Sequence, residues 1–271
     1  MGSIGTERYR VKSGARVDLH RWDPADTTGF RGDKDDGEKK IDSIMRKIDP
    51  LQELLYAERK HKVLIVLQGM DSSGKDATIR RVFEGVNPEG VRVAHFGKPS
   101  QEELDRDYLW RAHRQVPAKG EIVIFNRSHY ESVLVERVHG LVPKEVWSKR
   151  FRQIADFERM LSEEGTTVLK FFLHISKKEQ AKRLEARLND PTKEWKFSAL
   201  DYDERPYWKE YVRAYEEAIE KTSTEEAPWY IVPSDHGWYR DLVVAQVILS
   251  ELQGLKMKYP KLVKSKLETR S

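Results

Sequence analysis

Residues Gly69-Met70-Asp71-Ser72-Ser73-Gly74-Lys75-Asp76 have the types and spacing of a loop that holds phosphate groups. Glycines let backbone N–H groups close around phosphate oxygens, Lys75 supplies a point charge, and a helix starting there adds positive potential. The pattern G-x-x-x-x-G-K arises by chance ~0.08 times per chain of this size and average composition, and less often once a preceding strand and a following helix are required. Lys75 is thus a candidate catalytic residue, and Gly69, Ser72, Ser73, Gly74 and Asp76 are candidate phosphate- or nucleotide-binding positions. Asp76 stands where Ser or Thr is usual, so the hydroxyl that normally helps hold Mg²⁺ is missing. Asp71 or Asp76 can replace it as a direct or water-mediated ligand. Asp76 can equally be solvated in the first helical turn, favoured by the helix dipole. An unpaired carboxylate in a phosphate cradle would repel its ligand, so at least one of the two should meet a cation.

A second cluster follows the run Glu121-Ile122-Val123-Ile124-Phe125, which ends at Asn126-Arg127-Ser128-His129-Tyr130. Strand ends of parallel sheets face the ligand crevice. Asn126 occupies the place where an ordinary nucleotide-hydrolysing protein has a magnesium-shell Asp, and Arg127 leaves the strand beside the phosphates, suited to charge on a transferring phosphoryl group. Arg137, in Glu136-Arg137-Val138-His139, is expected on the same side of the crevice. In segment 177–188, Arg183 and Arg187 are four residues apart and share one helix face. They suit a lid that closes over phosphates, although Glu179, four residues before Arg183, also suits a salt-bridged surface helix. Trp208, Tyr211 and Tyr215 have helical spacing and read as lid packing. None of the eight histidines falls in a zinc pattern, and His129 is the one placed to donate to a phosphate.

These residues need a scaffold. Val63–Leu67 is a short continuous apolar run, the mark of a strand buried on both faces, and similar runs lie at 91–95, 122–125, 168–174 and 229–232. Helical segments intervene at 75–84, 101–115, 144–163, 177–188 and 204–221, and a last one spans 237–253. Alternating strands and helices predict an α/β fold with a parallel sheet covered on both faces. The stretch between the fourth and fifth strands exceeds one crossover and predicts a helical lid at about 177–221. Residues 1–40 carry turn chemistry and read as an arm packed on the surface. The phosphate-loop domain then spans 41–255, followed by a tail at 256–271. Ile41, Ile44, Ile48, Leu51 and Leu55 follow a helical face that Pro50 should kink or split.

Composition bounds the partners. The chain has 271 residues, no cysteine, and 49 Lys+Arg against 45 Asp+Glu, a net charge of +4. Disulfides, thiolate metal sites and cysteine nucleophiles are excluded. The small net charge argues against a general nucleic-acid binder, and no apolar run approaches the ~20 residues of a membrane span. With no apolar h-region at the N-terminus, a cytoplasmic location is expected, without nucleic acid or membrane as partner.

The motifs G-M-D-x-x-G-K-D at 69–76, F-N-R-S-H-Y-E at 125–131 and E-R-V at 136–138 resemble the second polyphosphate kinase family, as do Asp190-Pro191, Trp195-Lys196-Phe197 and Ala227-Pro228-Trp229-Tyr230. The resemblance runs from about residue 40 to 255, and the form with Asn126 is similar to the subgroup accepting both AMP and ADP. It implies a three-layer α/β/α P-loop kinase fold, thymidylate-kinase-like, and transfer of a terminal phosphoryl group from inorganic polyphosphate to adenine nucleotides with Mg²⁺. Guanine nucleotides are left open as acceptors. By motif, the implied functional residues are Asp71 (catalytic or metal-binding), Ser73, Gly74, Lys75, Asn126, Arg127 and Arg137, with Arg183 and Arg187 as lid arginines. A homodimer or homotetramer is implied as well. The residues alone would equally serve an ATP-dependent nucleoside monophosphate kinase.

Overall fold

A computed structural model describes residues 4–189 and 203–261. Five strands, β1 (Lys62–Gln68), β2 (Val91–His95), β3 (Ile122–Asn126), β4 (Thr166–His174) and β5 (Trp229–Pro233), form one parallel sheet in the order β2-β3-β1-β4-β5. Because side chains alternate along a strand, Val63, Ile65 and Leu67 enter one core and Leu64 and Val66 the other. On the first face pack helices α1 (Lys34–Glu58), α2 (Lys75–Val82) and α6 (Gly237–Gly254). On the second pack α3 (Lys144–Glu163) and α5 (Trp208–Thr222). Helix α4 (Lys177–Leu188) follows β4. The architecture is the expected three-layer α/β/α arrangement, with β1 central and the loop after it at the carboxyl edge.

Several expectations change in detail. Of the two alternatives at Pro50, the structure excludes the split: α1 is a single helix of 25 residues with Pro50 inside it. Ile41, Ile44, Ile48 and Leu55 stay buried along one face, while Pro50 lies on the exposed side, where water can satisfy the carbonyl that its missing N–H leaves open. Helix α1 also starts at Lys34, within the expected arm, because Asp33 caps it by accepting from the backbone N–H of Asp36 at 2.9 Å. Segment 101–115 is two single turns, Gln101–Leu104 and Trp110–His113. Between them the Asp107 carboxylate accepts from the N–H groups of Leu109 and Trp110, a local alternative to a continuous helix. The arm is more than a surface covering. Ile4, Tyr9, Val11, Leu19 and Phe30 are buried in the two cores, and the Val11 N–H donates to the Trp229 carbonyl at 2.8 Å, covering the β5 edge. Among the described residues no helix is long and apolar enough to cross a membrane. The Asp190-Pro191 and Trp195-Lys196-Phe197 motifs lie outside the described residues, as does part of the expected lid.

One charged side chain stands in the middle of the second core. Lys170, in β4, is fully buried and donates to Glu158 of α3 at 2.5 Å, to the Thr222 carbonyl at 2.7 Å and to the Tyr130 hydroxyl at 3.1 Å. Glu158 also takes hydrogen bonds from Tyr130 at 2.9 Å and His129 at 3.1 Å. Burial alone would raise the Glu158 carboxyl, but the Lys170 charge and the His129 bond hold it below its ordinary value. Removing one partner of such a pair strands a buried charge, at a cost of about 3–5 kcal/mol. Glu158→Ala should therefore lower the unfolding free energy in urea by about that amount. The joint replacement Glu158→Leu/Lys170→Met should lose less, because no unpaired charge remains.

Candidate active site

Strand β1 delivers the chain into the phosphate loop, and the first turn of α2 takes it out. The loop can form only in unusual backbone conformations: Ser72 has φ +63° and Gly74 φ +110°. A non-glycine residue with positive φ is uncommon and costs on the order of 1 kcal/mol, and such residues cluster at functional sites. Gly74 is required twice over, since a Cβ there would lie 1.8 Å from a guanidinium nitrogen of Arg240. Lys75, the first residue of α2, folds back over the loop and donates to the carbonyls of Gly69 at 2.7 Å and Met70 at 3.3 Å. Burial and the neighbouring Arg127 charge push its ammonium down to about 8, against the opposing pull of Asp71, Glu131 and Asp76.

Strand β3 brings the second cluster alongside. Leu67 pairs with Asn126 in register, and the Arg127 N–H donates to the Leu67 carbonyl at 3.1 Å. Arg127 itself adopts φ +58°, which swings its side chain over the loop. Its guanidinium donates to Asp71 at 2.7 Å and lies 3.6 Å from Glu131. Burial works against its charge, but Glu131 and Asp71 outweigh it and raise the arginine's pKa. The Asn126 amide donates to Asp76 at 2.6 Å. Asp71 thus meets a cation, as the charge argument requires, and Asp76 meets an amide.

Two cavities open on this junction. The larger, about 560 Å³, is lined by the loop residues Asp71, Ser72, Gly74, Lys75 and Asp76, by Asn126 and Arg127, by His95 at the end of β2 with Phe96 and Gly97 after it, and by Arg187 of α4. The smaller, about 30 Å³, has aromatic and apolar walls from Met70, Leu134, Val135, Trp208, Tyr211 and Tyr215, with Asp71, Glu131 and Glu204 as its carboxylates. Asp71 and Arg127 line both. Trp208, Tyr211 and Tyr215, expected only to pack the lid, are therefore also cavity walls. Glu131 is raised by burial, an effect that the Arg127 charge and a 3.1 Å hydrogen bond from Gln68 oppose.

Two arginines fall elsewhere than expected. Arg137 turns away from the crevice, pairing with Glu217 at 2.6 Å and stacking on Trp147, because its helical turn packs against α3 and α5 and not over the phosphate loop. Arg183 does not line either cavity. It lies behind the loop, donating to Glu179, to the carbonyls of Ser72 and Ser73, and to those of Ser234 and Asp235. Both readings of Arg183 hold in part: it pairs with Glu179, and it reaches the loop, but on its carbonyl side. Arg187, one turn on, faces the larger cavity. His129 is buried against Glu158 and is not placed to donate to a phosphate.

Gln68, Arg240 and Asp241 complete the surroundings and had no signal of their own, beyond a polar pair at the start of an otherwise apolar helical segment. Among the described residues no three His, Asp or Glu side chains gather as a ready-made metal cage. The available donors are instead the Asp71 and Asp76 carboxylates on the larger cavity. That set fits a cation such as Mg²⁺, which keeps waters and takes one or two carboxylates plus substrate phosphates.

Comparison with known proteins agrees with this construction. The chain is 58% identical over 254 residues, 94% of its length and 95% of the relative's, to an AMP/ADP-polyphosphate phosphotransferase of Meiothermus ruber. It is 44% identical, over 95% of its length and 93% of the relative's, to an ADP-polyphosphate phosphotransferase of Rhodopseudomonas palustris. The crystal structure of polyphosphate kinase 2 from Arthrobacter aurescens TC1 superposes with a TM-score of 0.91 at 43% identity, covering 98% of this chain and 96% of that one. The sequence profile of Polyphosphate kinase 2 (PPK2) matches residues 31–260. A phosphate loop, a facing arginine and two cavities that meet between them are thus held on a scaffold shared along nearly the whole chain, and the chain belongs to the polyphosphate kinase 2 family.

Proposed function

We propose that the protein transfers the terminal phosphoryl group of inorganic polyphosphate to AMP and ADP, giving ADP and ATP. The observation that carries this reading is the meeting of two unlike cavities at Asp71 and Arg127. The larger, ringed by backbone amides, Lys75 and Arg187, suits a chain of phosphates. The smaller, with Trp208, Tyr211 and Tyr215, suits a nucleoside whose phosphate points to the junction. Its small volume means that α5 must give way as a nucleotide enters. The names of the relatives from Meiothermus ruber and Rhodopseudomonas palustris support the same donor and acceptors.

In this reading an oxygen of the nucleotide's terminal phosphate attacks the terminal phosphorus of polyphosphate. A new P–O bond forms as the bridging P–O bond breaks, leaving a chain one phosphate shorter. The attacking oxygen is already anionic, so positioning and charge neutralisation do the catalysis. Arg127 stands at the junction to take up charge on the transferring group, and Lys75 exchanges its loop carbonyls for phosphate oxygens. Mg²⁺ held between Asp71 or Asp76 and the phosphates would neutralise further charge. We further infer a cytoplasmic homo-oligomer, with guanine nucleotides as possible additional acceptors.

The deciding assay supplies AMP or ADP with long-chain polyphosphate and Mg²⁺ but no ATP, and follows ADP and ATP formation. Absence of product above a protein-free control, or product only with ATP as donor, would replace this reading by a nucleoside monophosphate kinase. Arg187→Glu should raise the apparent KM for polyphosphate about tenfold or more and soften its salt dependence. Arg137→Glu should leave that KM within twofold, because Arg137 is outside both cavities; equal effects would mean that Arg187 does not hold the chain.

The Lys75 ammonium yields a pH test. The free enzyme loses this proton as pH rises through about 8, and the neutral amine cannot hold phosphate. The value of kcat/KM for polyphosphate should therefore fall above pH 8, approaching tenfold per unit. Lys75→Arg, whatever its absolute rate, should lack this falling limb, and a limb that persists in it would assign the titration to another group.

A further inference from the structure

Helix α6 is mostly apolar, and the charged residues that it buries are Arg240 and Asp241 in its opening turns, 3% and 6% exposed. They are not part of either cavity, yet Arg240 reaches the phosphate loop and Asp241 the helix that follows it. Arg240 grips the two Asp241 carboxylate oxygens through Nε at 2.8 Å and Nη2 at 3.0 Å, and its Nη1 donates to the Ser73 carbonyl at 3.2 Å. Asp241 in turn accepts from the Thr78 hydroxyl of α2 at 2.7 Å. The pair thus fastens the loop at Ser73 and the first helix after it at Thr78.

We infer that Arg240, held by Asp241, is a positioning residue that sets the Ser73–Gly74 peptide for phosphate binding. A peptide group is planar and trans, so its C=O and N–H point in opposite directions. Drawing the Ser73 carbonyl back onto Arg240 turns the Gly74 N–H outward, toward the larger cavity that Gly74 lines. Arg183 also donates to this carbonyl at 3.2 Å, so this one oxygen is held by two guanidinium groups. Without them the carbonyl would be free to turn toward the substrate and present partial negative charge to a polyanion. Gly74 is part of the device, since its missing Cβ is the space that the Arg240 guanidinium fills.

The N-terminal arm seats this turn. Tyr239, adjacent to Arg240, shares a 2.5 Å hydroxyl contact with Tyr9, and Gly29 lies against both hydroxyls so closely that a Cβ would come within 2.5 and 2.6 Å of them. Tyr9 and Gly29 precede the stretch matched by the family profile, so the loop's support includes residues outside it.

The inference rests on the phosphotransferase reading, and its test separates the two. Wild-type turnover of ADP with polyphosphate is measured first, and its absence counts against the activity itself. Given that activity, Arg240→Ala, checked for folding by circular dichroism, should lose about ten- to a hundredfold in kcat, as expected for slight misplacement of a reacting group. The KM for ADP should stay within twofold. Millimolar guanidinium should restore part of the turnover by filling the vacated site, and do nothing for the wild type. Should Arg240→Ala fail to fold, Thr78→Val removes one bond of the pair and leaves Arg240 in place; it should show a smaller loss with the same pattern. Unchanged kcat in the folded variant, or guanidinium without effect on it, would overturn the inference, as would losses that merely follow the folded fraction.

Discussion

The ion pair between Asp71 and Arg127, 2.7 Å long, crosses the crevice between the ends of β1 and β3. It forms only because two backbones turn unusually on either side of it. Ser72 and Arg127 both hold positive φ, and the register that sets Leu67 opposite Asn126 puts the two turns at the same height. Slipping the β1–β3 register by one residue would exchange the two cores and separate the pair. The buried strands are therefore a measuring device: their alternation holds a carboxylate and a guanidinium in contact at the point that both cavities share.

That pair also shows how the site keeps its charge before any substrate is present. Lys75 rests on two loop carbonyls, Arg127 rests between Asp71 and Glu131, and Asp76 rests on Asn126. Lys75 and Arg127, two cations that a polyanion would need, already have acceptors in place, carbonyls for one and carboxylates for the other. Phosphate binding then becomes an exchange of partners, which avoids leaving bare charges in a partly desolvated crevice. The ammonium of Lys75 is pushed below its ordinary pKa by burial and by the Arg127 charge, because the acceptors it touches are the carbonyls of Gly69 and Met70 and not a carboxylate.

The sheet was legible in the sequence because continuous apolar runs bounded by turns have few other readings, and the phosphate loop because its glycines and lysine follow such a run. The facing of a helix relative to a site is a different kind of information. Spacing correctly places Arg183 and Arg187 on one side of α4, but one turn of rise carries Arg187 to the cavity mouth and leaves Arg183 behind the loop. Arg137 shows the same gap: a charged residue shortly after a strand end has several helix faces to pack against, and Trp147 and Glu217 decided it. The anchoring of the arm is not legible in its composition, because turn-rich residues say how a chain bends, whereas the burial of Tyr9, Val11, Leu19 and Phe30 shows where it is held.

The corrected place of Arg183 changes which wall of the site can move. By donating to the carbonyls of Ser72, Ser73, Ser234 and Asp235, it ties α4 to the phosphate loop and to the turn after β5. Ser176, the cap of α4, adds a bond from its N–H to Asp235 at 2.8 Å. Helix α4 is thus joined by hydrogen bonds to the loop and to the turn after β5, and Arg187 projects from it to the larger cavity. Helix α5 meets the site differently, through the aromatic and hydroxyl contacts of Trp208, Tyr211 and Tyr215 around the narrow cavity. Tyr211 and Tyr215 belong at once to the second core and to the cavity wall, whereas Arg183 joins α4 to the loop through main-chain carbonyls that a separation would strand together with the guanidinium. We infer that adjustment around a bound nucleotide falls to the side chains that α5 lends to the narrow cavity, because those of α4 behind the loop are already committed to main-chain carbonyls.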